Sequence, residues 1–361
     1  MRPLEIYDRK TAKRLAYLQN AYEITYTQET NSVWSASFKL PYSDEKKEYC
    51  QPLNYVVIWD EDNGGADKYV GLFRIMPTKN ELSRDKSEIT YTLEHAFSTL
   101  LDTTIVGYKY FGYNEETEEY ETTSTVLNQL LDMQVNLPKK WVLDECDYDE
   151  EYVYEFEDDT LLSAVLEIPQ ILPDGYFWKF NTRVRPFQVS LKAIDENPVT
   201  DLRYKKNIAG ITKTVDPRNI CTRLYAYGAN QEDGSKLSIK SVNNGREYID
   251  SPEGIAEYGI IMHILNDGRF EDVQALFNYA QSYLSKLSAP IVSYEIDLNV
   301  IFEAANLRIG DVVRVITEDG LDENLVVQRI TKDDLTGKPK EGKIIIGQGT
   351  VDLGIIYKSF M

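Results

Sequence analysis

The run Gly337-Lys338-Pro339-Lys340-Glu341-Gly342-Lys343 has the spacing of a phosphate-binding loop, in which glycine amides cradle a phosphate and the lysine reaches it. That chemistry also needs a serine or threonine next, to hold magnesium, and a helix whose first amides face the anion. Ile344 takes the place of the hydroxyl, and Ile344-Ile345-Ile346 reads as a strand. The run is therefore expected to be a hairpin turn. Asp60-Glu61-Asp62-Asn63-Gly64-Gly65 opens like a calcium loop with glycine at its sixth position. It then places Gly64 where an oxygen ligand belongs and Gly71 where a closing glutamate belongs, which leaves a polar turn and no metal site.

Two acidic runs hold enough carboxyl groups for the paired acid and base of a glycoside hydrolase. They are Asp144, Glu145, Asp147, Asp149, Glu150 and Glu151, then Glu155, Glu157, Asp158 and Asp159. A chain with 59 acidic residues pairs carboxylates without catalytic cause, and charge runs usually stay in water. Hydrolysis also needs a cleft in which one carboxyl has a raised pKa. Histidine occurs only as His95 and His263, outside any H-E-x-x-H, and neither G-x-S-x-G nor a cysteine–histidine nucleophile pattern occurs. Cys50, Cys146 and Cys221 are far apart without C-x-x-C spacing, which predicts buried or half-buried thiols rather than a zinc or disulfide framework. No catalytic residue, cofactor-binding residue or metal ligand is expected, and the chain reads as a non-enzyme. The 26 tyrosines, among them Tyr22, Tyr26, Tyr91 and Tyr294, read as strand-face and core residues, with stacking on carbohydrate as the alternative.

The 361 residues are enough for two to four compact units with more than one core. Lysine and arginine total 39 against 59 acidic residues, a net charge of −20 and a pI near 4.6. Such a surface repels phosphate backbones, so stable DNA binding is not expected, whereas DNA can pass an acidic wall without adhering. The start Met1-Arg2-Pro3-Leu4-Glu5-Ile6-Tyr7 lacks the apolar core of a signal peptide, and no run of about 18 apolar residues occurs. No membrane insertion is expected.

Short strands are expected first: Ile6-Tyr7, Arg14 to Leu18, Glu23 to Glu29, Val33 to Leu40, Tyr55 to Trp59, Tyr69 to Met76 and Ser87 to Glu94. In the last, Ile89, Tyr91 and Leu93 alternate with Thr90 and Thr92 at the period of a half-buried strand. Glu115, Glu116, Glu118, Glu119 and Glu121 around Tyr120 predict a solvated loop or hairpin. Thr122 to Met133 predicts a helix with Val126, Leu127, Leu130 and Leu131 on one face, capped by Ser124 or a neighbouring threonine. A second helix is expected from Asp159 to Ile168, capped by Asp158 or Asp159 and stopped by Pro169. Strands Tyr176 to Phe180 and Phe187 to Lys192 close this part.

Asn219 to Gly228 reads as a strand ended by glycine, a hinge between two β-rich bodies. Gln231 to Tyr258 is polar, with Asn243-Asn244-Gly245 as a turn. From Phe270 to Leu287 a helix gathers Phe270, Val273, Phe277, Ala280, Leu284 and Leu287 into one stripe, with Asn266 or Asp267 as cap and Pro290 at its end. Val292, Tyr294, Ile296, Leu298 and Val300 share one face of a strand, and Val312 to Ile316, Leu325 to Ile330 and Lys343 to Ile346 complete a second β-unit.

Asn20-Ala21-Tyr22, Leu224-Tyr225-Ala226-Tyr227-Gly228 and Leu307-Arg308-Ile309-Gly310-Asp311-Val312-Val313-Arg314-Val315 resemble landmarks of one phage family. It is the N-terminal hub region of siphophage tail-associated proteins, the prophage endopeptidase tail or phage minor structural protein family, and the likeness spans nearly the whole chain. It implies a mainly β fold with an α+β insert: two small antiparallel β-barrels plus helical additions, baseplate-hub-like. On this reading 1–105 is the N-terminal β-barrel and 106–192 the α+β insert. Connecting strands return to the barrels over 193–230, and 231–361 is the second β-barrel with the long helix 270–287.

The resemblance further implies a homotrimeric ring at the virion tail tip, continuous with the tail tube, through which DNA passes transiently without specific binding. Its partners are then the distal tail ring, tape-measure and tail-tube proteins. Longer relatives continue into parts that degrade cell wall or bind a receptor, and nothing after about Tyr357 provides one. The expectation is a structural hub, assembled in the host bacterial cytoplasm, without cofactor or lytic extension. A cell-wall endopeptidase or a glycan-binding tail component is the alternative. Three copies carry −20 × 3 = −60, so contacts between chains are expected to be apolar or charge-paired.

Overall fold

In strand Ser87–His95 the side chains of Ile89, Tyr91 and Leu93 are buried and that of Thr92 is exposed, as the alternation of the sequence requires. Its neighbour Ser35–Pro41 buries Phe38 and Leu40 on the same face, and Phe38 stacks on Tyr91 at 4.7 Å. The computed structural model describes residues 4–60, 68–83, 87–114, 116–136, 138–172, 175–231, 233–268, 270–298, 307–318, 320–336 and 342–347. Contacts divide the chain into two compact units: 1–99, 194–213 and 293–347, and then 100–193, 214–292 and 348–361.

The first unit is built on a 13-stranded sheet. Its main path runs Ile208–Asp216, Ile291–Leu298, Gly342–Gly347, Asp322–Lys332, Tyr22–Glu29, Ser35–Pro41, Ser87–His95, Tyr69–Leu82, Tyr55–Trp59, Leu4–Tyr7 and Arg14–Tyr17. Val312–Ile316 pairs with Asp322–Lys332 and, in parallel, with Thr200–Arg203. The strands near the C-terminus are therefore not a β-unit complete in themselves. Tyr22–Glu29 takes Ser35–Pro41 on one side and Asp322–Lys332 on the other, which joins residues 304 apart in sequence at Thr27 and Thr331. The division expected at 105, 192 and 230 differs from the observed one for the same reason, since 194–213 belongs with the first unit and 214–292 with the second. Among the described residues no closed barrel is detected.

Strand Tyr69–Leu82 continues six residues past the stop expected at Met76. Pro77 lies in the register shift between Ile75 and Thr78, where the ladder is interrupted and a missing amide costs no bond. Tyr294 and Ile296 are buried and Glu295 and Asp297 exposed, as their alternation predicts. The side chain of Leu298, and Val300, lie outside the described residues.

The second unit contains helices α1 (Thr123–Asp132), α2 (Leu161–Ile171), α3 (Pro252–Tyr258) and α4 (Val273–Leu287). α1 buries Val126, Leu127, Leu130 and Leu131, the expected face, behind Thr122 at its N-cap. α2 differs from expectation at both ends. Its cap is Thr160, whose hydroxyl accepts from the Ser163 amide at 3.1 Å, and Pro169 sits inside it. A proline there leaves the carbonyl of Val165 without its helical donor. The buried indole of Trp178 supplies one, with Nε1 donating to that oxygen at 3.2 Å. The last carbonyls of α2 are also held, since Lys286 Nζ of α4 donates to the oxygens of Gln170 at 2.7 Å and Leu172 at 3.1 Å.

α4 starts three residues later than expected. Asp272 accepts from the Ala275 amide at 2.7 Å, and the buried stripe is Ala275, Leu276, Ala280, Leu284 and Leu287. Against it lies a four-stranded sheet whose central strand, Arg223–Asn230, pairs with Lys236–Ser238, Tyr248–Asp250 and Met262–Asn266. Leu224, Ala226 and Leu265 face the helix in one core with Leu276, Leu284 and Leu287. The stretch expected to act as a hinge is thus the spine of this unit, and the chain leaves the first unit earlier, at Lys213. Gly228 lies within the strand rather than at its end. A Cβ there would stand 2.4 Å from the carbonyl oxygen of Phe270.

Candidate functional site

Most of the two loop-like runs falls outside the described residues. Residues 61–65 of the calcium-like run and 337–341 of the phosphate-like run lie outside the described part. Asp60 is buried and accepts from the Tyr26 hydroxyl at 3.1 Å. Lys343 stands in strand Gly342–Gly347 and donates to Glu295 at 2.9 Å, with Ile344 and Ile346 buried beside it. Among the described residues no group of three or more His, Cys, Asp or Glu is arranged to hold a metal ion. No helix among them is long and apolar enough to cross a membrane.

The first acidic run is engaged in local structure. Asp144 accepts from Gln188 at 2.8 Å, while Glu145 and Asp147 both accept from Lys192, at 2.9 and 2.8 Å. Asp149 accepts from the Ser124 amide at the start of α1. The three thiols are free, and burial pushes Cys50 up to about 12 and Cys146 and Cys221 up to about 11, which leaves them protonated and unreactive near neutrality. His95 is buried between Trp34 and Phe73, and burial lowers its pKa to about 3, so the ring is neutral.

One carboxyl does have the raised pKa that the sequence could not reveal. Glu155 stands in strand Tyr154–Glu157, which pairs with Tyr108–Phe111, and burial raises it to about 7. Hydrogen bonds from the Glu271 amide, at 3.1 Å, and from Tyr108 oppose that rise, while the charges of Glu271 and Asp267 add to it. Glu155 is only 6% exposed, and its Oε2 is buried with no hydrogen-bond partner among the described residues. A group so enclosed cannot protonate a polymeric glycan. It ties the 108–111/154–157 ribbon to the segment entering α4.

The outward face of the four-stranded sheet carries a concave feature of the second unit. Cross-strand register sets three rows on it: Asp250, Arg223 and Met262; Tyr248, Tyr225 and Ile264; Ser238, Tyr227 and Asn266. Arg223 makes a two-pronged ion pair with Asp250 at 2.6 and 2.8 Å and lies 4.0 Å over the Tyr248 ring, whose centroid is 5.4 Å from that of Tyr225. Met262 and Ile264 are 61% and 59% exposed. At the Tyr227 end a groove of about 810 Å³ opens, lined by Tyr227, Ile264, Asn266, Lys236, Gln231 and Glu247 among others. Lys236 Nζ donates to Asn266 Oδ1 at 3.0 Å, and Tyr227 and Lys240 each reach Glu247 at 3.4 Å. The sequence reading placed Tyr225 and Tyr227 on a strand but passed over Met262–Asn266. The signal was the largely apolar run from Ile260 to Leu265, in which Ile260, Met262 and Ile264 are exposed in the structure.

In sequence, residues 196–354 match the family described as prophage endopeptidase tail. No curated protein matches the chain in sequence. Among solved structures the fold is similar to prophage tail protein gp18 from Listeria monocytogenes, with 14% identity and TM-score 0.63 over 99% of this chain and 98% of that one. It is also similar to the tail protein from Neisseria meningitidis, with 12% identity and TM-score 0.64 over 96% of each chain. A third is an Escherichia coli component of the type VI secretion system described as structurally similar to T4 bacteriophage tail proteins gp27 and gp5. Its identity is 10% and its TM-score 0.52, over 95% of this chain and 76% of that one. The sequence match covers 196–354, and the likeness in fold to these tail proteins extends along nearly the whole chain.

Proposed function

We propose that this chain is a structural hub of a phage tail tip, working as a homotrimeric ring continuous with the tail tube. The observation that carries the proposal is the likeness in fold, along almost the full length, to two phage tail proteins and to the type VI component related in turn to T4 tail proteins. The net charge of −20 supports a channel role, because acidic walls let DNA pass without the counterion release that makes it adhere. On this proposal the strands of the first unit close, within the assembled ring, as two small β-barrels. The distal tail ring, tape-measure and tail-tube proteins are its neighbours, and the particle is assembled in the bacterial cytoplasm.

The chain has no catalytic role on this reading, in spite of the word endopeptidase in the family description. The engaged acidic run, the enclosed Glu155 and the protonated thiols support that view. Sedimentation velocity at micromolar concentration in moderate salt tests the assembly. A species three times the 41.6 kDa chain is expected, and a monomer at every concentration would remove self-sufficient trimerisation from the proposal. A zymogram on purified cell walls is expected to stay blank, and a cleared zone would end the non-enzymatic reading.

A further inference from the structure

The groove on the outward face of the four-stranded sheet is not accounted for by a ring or a channel. Its volume of about 810 Å³ falls within the range of small-molecule sites. Its floor is carbon-rich: Tyr227 lies on the central strand, with Leu237 and the exposed Ile264 on the strands at either side. Its walls carry the amides of Asn266 and Gln231 and the ammonium groups of Lys236 and Lys240. The charged groups lining it, among the described residues, are Lys236, Lys240 and Glu247, two cations to one carboxylate, with Asp233 accepting from the lining Ser235 at 2.6 Å. Lys240 is drawn to Glu247, whereas the bond of Lys236 is to the neutral Asn266, so its charge is not offset by that partner.

We propose that this groove binds an anionic oligosaccharide. The apolar faces of sugar rings would lie on Tyr227 and Ile264, because a tyrosine offers a flat carbon face with a polar tip. Ring hydroxyls would exchange hydrogen bonds with Asn266 and Gln231, side chains that both donate and accept. A carboxylate or phosphate substituent would displace Asn266 as the partner of Lys236. A nucleic acid fits poorly, since one excess cation in an acidic surface cannot hold a run of phosphates. This proposal does not depend on the trimeric hub reading, and either can fail alone.

Matched sugars test it. Saturation-transfer NMR with the full chain would use the β-1,4 disaccharide of N-acetylglucosamine, and the same disaccharide with a lactyl carboxylate on its second ring. Glucose and glucose 6-phosphate form the phosphate arm. At least one acid is expected to bind at millimolar concentration or tighter, and at least about tenfold better than its neutral counterpart. The arm that responds identifies the anion as carboxylate or phosphate. Tyr227→Ala and Lys236→Ala are expected to weaken that binding by about tenfold or more, with Lys236→Arg restoring most of it and with melting temperatures unchanged for the lysine variants. Absence of transfer from both acids, equal binding of acid and neutral forms in both arms, or binding indifferent to the lysine variants would overturn the proposal.

Discussion

The indole Nε1 of Trp178 donates to the carbonyl oxygen of Val165 at 3.2 Å, the carbonyl that Pro169 leaves without a helical donor. The two residues are thereby coupled, although they sit on different elements. Trp178→Phe is expected to cost about 1–3 kcal/mol, because a buried acceptor is left unsatisfied. In a Pro169→Ala background the helical amide returns and the same change should cost clearly less. Denaturant unfolding of the four proteins in a double-mutant cycle measures the difference, and additive costs would show that the indole does not stand in for the missing amide.

Stability is expected to respond to pH in opposite directions in the two units. Glu155 has a folded pKa of about 7 against an ordinary value of 4.5, so the folded state binds the extra proton. Its contribution is fully present below about 4.5 and is lost as pH rises through about 7. His95, held near 3 against 6.5, contributes fully above 6.5 and loses that contribution as pH falls toward 3. Glu155→Gln should flatten the alkaline side of the second unit's melting profile between pH 5 and 8 and leave the acid side of the first unit unchanged. A profile that keeps its alkaline slope in this variant would show that Glu155 is not its source.

Ile296 faces Ile344 across strands Ile291–Leu298 and Gly342–Gly347, and both are buried. Ile296→Asp should cost more than about 4 kcal/mol, since it buries an unpaired charge. Glu295→Ala removes only an exposed ion pair with Lys343 and should cost within about 0.5 kcal/mol. Thermal melts of the two variants compare them directly, and equal midpoints would show that the face assignment is wrong.

Gly228→Ala is expected to destabilise the second unit by about 1–3 kcal/mol, because its new methyl group would press on the Phe270 carbonyl, a backbone atom with little room to yield. Gly245→Ala, at a turn open to solvent but with φ of +79°, should cost about 1 kcal/mol through backbone strain alone. Hydrogen exchange across Arg223–Asn230 separates the two, since only the first should raise exchange along the whole strand.

Local periodicity made most elements legible. Ile89, Tyr91 and Leu93, and likewise Val126, Leu127, Leu130 and Leu131, carry their buried face in the spacing of the letters. What escaped was decided at a distance. The pairing of Tyr22–Glu29 with Asp322–Lys332 leaves no local trace, and Pro169 continues inside α2 only because Trp178 answers for it. The raised pKa of Glu155 comes from burial by segments around 108 and 271 that are remote in sequence. The outward sheet face was half legible, with its tyrosines visible and the exposed strand beside them overlooked.

During synthesis, Tyr22–Glu29 leaves the ribosome long before its partner, with Thr27 and Thr331 304 positions apart. Every helix and strand from Leu100 to Val292 that belongs to the second unit emerges in between. That unit can complete its core on the nascent chain, while the first waits with one edge of Tyr22–Glu29 bare and able to template pairing with a neighbouring polypeptide. A polysome carrying several copies holds many such edges close together, so chaperone demand should peak before Asp322 is translated and fall once the closing strand arrives.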